Sequence, residues 1–140
     1  MNRRIRNLIS PLALPGMVLS GLLLMGAPEA MAATTTPYTQ AAFATAMANH
    51  TPVVIHIEAS WCPTCARQKL VLKGLENDPR YAALEILDVD FDAQKPVVQQ
   101  FGATMQSTLI AFHDGKEALR AVGITSKSDI ETLLNTAVQD

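Results

Sequence analysis

Apolar and polar positions alternate with different periods along this chain, and the changes of period mark its elements. Over 39–49, Ala42, Phe43, Ala46 and Met47 recur at helical spacing, which predicts a helix that ends before Pro52. Val53-Val54-Ile55-His56-Ile57-Glu58 is short, β-branched and mostly apolar, the pattern of a buried central strand. Residues 63–75 return to a helical pattern. Leu70, Val71, Leu72 and Leu75 form its apolar set, Arg67, Gln68, Lys69 and Lys73 point mostly outward, and Asn77-Asp78-Pro79 ends it. A second strand is predicted over 84–90, a short helix over 93–101 closed by Gly102, and a third strand over 108–113. Asp114-Gly115 is a two-residue hairpin signal leading to a fourth strand over 116–122, which Gly123 breaks. A final amphipathic helix spans 126–138, with Ser126 or Ser128 as its cap and Ile130, Leu133, Leu134 and Val138 facing inward.

This order, α-β-α-β-α-β-β-α, predicts an α/β domain over 38–140: a four-stranded mixed sheet covered by helices on both faces. Residues 33–37 (Ala-Thr-Thr-Thr-Pro) read as a flexible lead. Residues 1–32 read as a secretory signal peptide. Arg3, Arg4 and Arg6 precede an apolar stretch over 8–26 that Pro11, Pro15, Gly16 and Gly21 interrupt, and Ala30-Met31-Ala32 fits a small-x-small cleavage site. The alternative is an uncleaved anchor, since the apolar run nearly reaches the ~20 residues that span a bilayer. Cleavage near Ala32 would export the domain to the periplasm. It would remove three arginines and Glu29, taking the formal charge from −2 for the whole chain to −4. No basic run remains, which argues against nucleic acid or an anionic membrane surface as partner. The length fits one domain, and nothing in the sequence marks an inserted dimerisation unit, so a monomer is expected.

The two cysteines of the chain, Cys62 and Cys65, stand in Trp61-Cys62-Pro63-Thr64-Cys65, where the first predicted strand meets the second predicted helix. They close too small a loop to staple a fold, and export would place them where disulfides form. Amide groups and the positive dipole end of a helix stabilise a thiolate on the first cysteine, and Pro63 suits the first helical turn because its missing N–H costs nothing there. His56 and Glu58 share one face of their strand, directed toward the sulfur pair. Either could act as the general base that deprotonates the second thiol. A metal site is the competing reading. The chain has no second cysteine pair, but His56 and Glu58 could join the thiols as ligands. His50 and His113 read as solvent-facing or capping residues, and Asp88, Asp90 and Asp92 as surface charge.

The chain resembles a thioredoxin over nearly all of 38–138. The resemblance rests on the strand entering Trp61-Cys62-Pro63-Thr64-Cys65, then Asp88-Val89-Asp90, Phe101-Gly102, the 108–112 strand, Asp114-Gly115 and Val122-Gly123. It implies a thioredoxin fold and a protein-disulfide oxidoreductase that needs no cofactor beyond its own Cys62–Cys65 disulfide. Cys62 would be the exposed nucleophile and Cys65 the buried resolving thiol. Trp61, Pro63, Thr64, Gln106 and Ser107 would meet substrate. The Pro-Thr dipeptide is similar to that of periplasmic thioredoxins that reduce apocytochrome c, which implies reduction of protein disulfides with electrons from a membrane donor of the DsbD or CcdA type. A disulfide oxidase or isomerase, or a metal-binding or partner-docking module, are the alternatives. Four positions depart from the family pattern. His56 stands where a buried Asp is usual, Ile86 where its Lys partner falls, Glu58 in place of a Trp, and Ser107 in place of the cis-proline that faces the sulfurs. A cis bond before a non-proline residue costs about 2.5–4 kcal/mol, so the Gln106–Ser107 peptide is expected to be trans.

Overall fold

The computed structural model describes residues 31–139. The leader expected over 1–32 lies outside the described residues except for Met31 and Ala32. Five strands form one sheet: β1 (Thr34–Pro37), β2 (Val53–Glu58), β3 (Glu85–Asp90), β4 (Thr108–His113) and β5 (Lys116–Val122), in spatial order β1-β3-β2-β4-β5. Four helices cover it: α1 (Gln40–Ala48), α2 (Pro63–Leu75), α3 (Lys95–Gln100) and α4 (Lys127–Val138), with a short 3-10 turn over Pro79–Tyr81. Among the described residues no helix is long and apolar enough to cross a membrane.

The sheet has one strand more than the sequence suggests, because 34–37 is an edge strand rather than a flexible lead. Its backbone pairs in parallel with β3, Thr34 opposite Glu85 through Pro37 opposite Asp88. All four of its residues are exposed, so no buried period betrays it. The β-branched threonines were the usable signal, and Pro37 is tolerated because the strand lies at an edge.

β2 is central and buried on both faces. It runs parallel to β3 and antiparallel to β4. Its alternation divides the core in two. Val54 joins Ile86, Leu109, Leu72, Leu75, Ile130, Leu133 and Leu134 beneath α2 and α4. Ile55 and Ile57 join Leu87, Val89, Ile110 and Phe112 on the α1 and α3 side. There Tyr38, Phe43, Phe101 and Phe112 meet at centroid distances of 5.3–6.0 Å, mostly edge to face. Each such buried side chain contributes about 1.5–3 kcal/mol. β4 and β5 form the expected hairpin. Asp114 (φ 48°) and Gly115 (φ 74°) both take the left-handed values that a tight two-residue turn requires.

α2 buries a stripe different from the one its leucines suggest. Cys65, Gln68, Leu72 and Leu75 face inward, one helical turn apart in succession. Leu70 is 75% exposed and Gln68 is fully buried, reversing the outward placement expected for Gln68. The anchor is Cys62, which caps α2: its sulfur accepts from the Cys65 amide at 3.1 Å. Every later residue of the stripe is in phase with it.

Candidate active site

The C-terminal end of β2 delivers Ala59 and the turn that leads to Cys62, and Pro63 opens α2 at its first position. This places Cys62 and Cys65 at the positive end of a 13-residue helix, with their Cα atoms 5.3 Å apart and their sulfurs joined as a disulfide. Cys65 is fully buried. Cys62, expected to be exposed, keeps 4% of its surface, because Ala59 and Phe91 pack beside the pair and the loop carrying Ser107 covers it. Trp61 remains 60% exposed beside it, steered by a 2.7 Å hydrogen bond from its indole N–H to Asp92 Oδ2.

Ser107 occupies the place opposite the sulfurs. Its hydroxyl oxygen lies 3.3 Å from Cys62 Sγ and 3.5 Å from Cys65 Sγ. Every peptide bond among the described residues is trans, as expected for Gln106–Ser107. Ser107 meets the geometry of the loop by adopting φ 59°, a left-handed value that costs a non-glycine residue about 1–3 kcal/mol. Gln106, half-buried, precedes it, and Thr64 lies half-buried in the first turn of α2. Neither gives a side-chain hydrogen bond among the described residues.

His56 and Glu58 do share the α2 face of β2, yet their polar atoms go to partners other than sulfur. His56 is fully buried, with Nδ1 2.9 Å from Asp88 Oδ1 on β3 and Nε2 3.2 Å from Gln68 Oε1 on α2. Glu58 accepts an ion pair from Lys69 at 2.8 Å, and Lys69 also lies 3.9 Å from Asp88. Burial opposes the charge on Lys69. The hydrogen bond to Glu58 and the carboxylates of Asp88 and Asp90 outweigh it and hold the ammonium pKa above its ordinary value.

Sequence reasoning missed Gln68 and gave Asp88 and Asp92 only a surface role. Gln68 donates from its amide nitrogen to Ser107 O at 3.1 Å and Ile124 O at 2.9 Å. The position of Gln68, three residues after Cys65, was the signal that could have found it. Asp90 accepts from the amides of Asp92 and Ala93 and shapes the turn after β3. His113 donates from Nδ1 to Ala137 O, 3.0 Å away, and so serves the end of α4, in keeping with a capping role. Among the described residues no group of three or more His, Cys, Asp or Glu side chains is arranged to hold a metal ion.

A disulfide at a helix N-terminus, with amide and hydroxyl groups on its sulfurs, is suited to reversible two-electron exchange. Comparison with known proteins agrees. The thioredoxin family model matches residues 34–136. The chain is 36% identical to a thioredoxin of Chlamydia muridarum over 83 residues, 59% of this chain and 79% of that one. It is 30% identical to a thioredoxin of Mycobacterium tuberculosis over 101 residues, 71% of this chain and 86% of that one. The crystal structure of Trxlp from Edwardsiella tarda superposes with a TM-score of 0.71 at 40% identity, covering 72% of this chain and 98% of that one. The thioredoxin NaTrxh from Nicotiana alata, at 21% identity and a TM-score of 0.65, shares the fold. The strand-to-helix placement of the disulfide and the match along almost the whole described chain have one reading: the chain belongs to the thioredoxin family and is a thiol–disulfide oxidoreductase.

Proposed function

We propose that this protein is an exported reductase of protein disulfides, working as a monomer and recharged by a membrane donor of the DsbD or CcdA type. The observation that carries the chemistry is the capped Cys62: the Cys65 amide reaches its sulfur at 3.1 Å, at the positive end of α2. In the reduced protein the Cys62 thiolate attacks one sulfur of a substrate disulfide. A Cys62–substrate disulfide forms and one substrate sulfur leaves as a thiolate, which takes up a proton. Cys65, having lost its proton, then attacks Cys62 Sγ. The Cys62–Cys65 disulfide closes and the second substrate sulfur leaves. Two electrons pass from the protein to the substrate. Donor thiols reverse the sequence.

Three sequence features support export and reduction: the basic-then-apolar leader, the Ala30-Met31-Ala32 site and the Pro63-Thr64 dipeptide. Glu58 stays as the candidate proton acceptor for Cys65 on the α2 face, because Asp88 and Gln68 engage both ring nitrogens of His56. Trp61, with Pro63, Thr64 and Gln106 around it, stays as the docking rim. One observation favours the opposite direction. Donors aimed at the Cys62 sulfur, the Cys65 amide and the Ser107 hydroxyl, stabilise a thiolate and hence the reduced form, the property of an oxidase.

The equilibrium potential against glutathione separates the two. A value well below about −200 mV is expected; one near −120 mV makes the protein an oxidase. Trapping tests the chemistry itself. Cys65→Ser expressed in a host with a periplasm should accumulate mixed disulfides through Cys62 that dithiothreitol releases. Mass spectrometry of the same sample should read a new N-terminus at Ala33. An absence of adducts with Cys65→Ser would overturn the exchange mechanism.

A further inference from the structure

The loop opposite the sulfurs carries neither a proline nor a cis bond, so something else must hold it. We propose that Gln68 and His56 are positioning residues: a buried clamp, fixed at its far end by Asp88, that locks the Ser107 backbone and so keeps the Ser107 hydroxyl on both sulfurs. The inference rests on the exchange chemistry proposed above and deepens it.

The clamp is continuous. Asp88 Oδ1 faces His56 Nδ1 at 2.9 Å, His56 Nε2 faces Gln68 Oε1 at 3.2 Å, and the Gln68 amide nitrogen donates to Ser107 O and Ile124 O. Gly123 N–H adds a second bond to Ser107 O at 2.9 Å. Gln68 and His56 are both fully buried, and among the described residues no buried side-chain polar atom lacks a partner. Water therefore cannot replace a lost link without repacking. The two backbone carbonyls belong to the strained residue and to the segment after β5, so one amide ties together the two chain segments flanking β4 and β5. Ser107, held at φ 59°, then has its Oγ 3.3 Å and 3.5 Å from the sulfurs.

Donor and acceptor roles in the clamp follow without choice. A backbone carbonyl accepts only, so the two partners at Ser107 and Ile124 fix the Gln68 nitrogen toward them and its oxygen toward His56. His56 must then donate from Nε2. On its other side Nδ1 meets a carboxylate. The His56–Asp88 pair thus holds one proton more than a neutral imidazole beside a free carboxylate. Removing that proton breaks a link whichever tautomer survives. The Nε2–H form sets two lone pairs 2.9 Å apart at Asp88, and the Nδ1–H form sets two 3.2 Å apart at Gln68.

The charged groups around the ring are Asp88 from β3, Lys69 from α2, bridging Asp88 and Glu58, and Glu58 itself from the same strand. The cysteine pair lies on the α2 side. Toward β4 the neighbour in register is Leu109, and α4 presents Ile130, Leu133 and Leu134, all without charge.

Three measurements on the full-length protein test the clamp. In the reduced wild type at pH 7, imidazole ¹⁵N spectra should show His56 with both nitrogens carrying hydrogen or sharing one with Asp88. A plain single-tautomer neutral imidazole would overturn the assignment, and this reading needs no variant to fold. Ser107→Ala should slow iodoacetamide alkylation of Cys62 at pH 6–7 roughly tenfold, the worth of one hydrogen bond to a charged sulfur. Gln68→Met should slow it to a similar extent and shift the potential against glutathione in the same direction, and the double variant should add little. If Gln68→Met lowers Tm but leaves alkylation and potential at wild-type values while Ser107→Ala changes both, Gln68 is a packing residue and the clamp is wrong. If Ser107→Ala changes neither, the hydroxyl has no hold on the sulfurs and the clamp has no function. Failure of the exchange chemistry is a separate result, seen as wild-type protein that does not reduce insulin disulfides.

Discussion

Ser107 holds two demands that pull against each other at one residue. Its backbone sits at φ 59°, where glycine would be unstrained, and its side chain supplies the hydroxyl that reaches both sulfurs. Ser107→Gly removes the strain and the hydroxyl together. The gain is offset by the larger unfolded-state freedom of glycine, of order 0.5–1 kcal/mol, so Tm should stay within about 3 °C of wild type. Exchange by Cys62 should nevertheless slow. Ser107→Val replaces the hydroxyl by a methyl, adds a second methyl at a buried position and places a β-branched residue at a left-handed φ. That should cost about 2 kcal/mol or more, a fall in Tm on the order of 10 °C. Thermal melts of the two variants side by side decide it. A valine variant that melts with the wild type would mean that the loop is free to leave this conformation. The sequence exposed Ser107 as a departure, because serine stands where a proline is usual. It could not reveal the φ, since serine is compatible with many backbone conformations and only the loop's closure onto Gln68 selects this one.

Elements were legible wherever their burial follows a period, and obscure where backbone pairing or a polar core residue decides. β2, α2, β4 and α4 appear over the expected residues, and the Asp114-Gly115 turn forms the expected hairpin. β1 carries only exposed side chains, so its place beside β3 comes from main-chain bonds such as Thr34 N–H to Leu84 O at 3.0 Å, which no side-chain pattern encodes. Gln68 read as outward because it is polar, although it lies in phase with Cys65, Leu72 and Leu75. Its burial is stable only because three partners satisfy it, and those partners come from distant parts of the chain. The same distance hides a surface latch. Asp78 caps the 3-10 turn and binds Arg80, which reaches Glu131 on α4 at 3.0 Å. The Arg80 hydrogen bonds hold the Asp78 carboxyl below its usual pKa. A carboxylate lowered on folding contributes stability above its unfolded pKa of about 3.9, and that contribution is lost as pH falls through the lower folded value. Asp78→Asn keeps a capping oxygen but loses the charge. Its Tm should lie about 2 °C below wild type at pH 7, and the gap should close at acid pH. A gap that is constant from pH 7 to pH 2 would refute the charge as its origin.

At the scale of the whole molecule, the redox centre and the fold form one thermodynamic cycle. Folding of the oxidised chain, folding of the reduced chain and reduction of the unfolded disulfide together fix the potential of the folded one. Any displacement of that potential from the unfolded value therefore equals a difference in stability between the two forms, with 30 mV equivalent to about 1.4 kcal/mol. The Cys62–Cys65 loop spans a sequence separation of three, so its closure restricts the unfolded chain very little. The difference must arise in the folded state, where two opposing effects meet. The Cys65 amide, the helix dipole and the Ser107 hydroxyl favour a thiolate on Cys62. Burial of both sulfurs, with Cys65 fully enclosed beside Ala59 and Phe91, disfavours placing charge there and favours the neutral disulfide. A reductase requires the second effect to win. The oxidised protein should then melt higher than the reduced one, by about 5–10 °C for one to two kcal/mol in a domain of this size. Calorimetric scans with and without excess reductant measure the difference directly. A reduced form that melts higher would assign the protein the oxidising direction, because the fold would then be storing its stability in the dithiol.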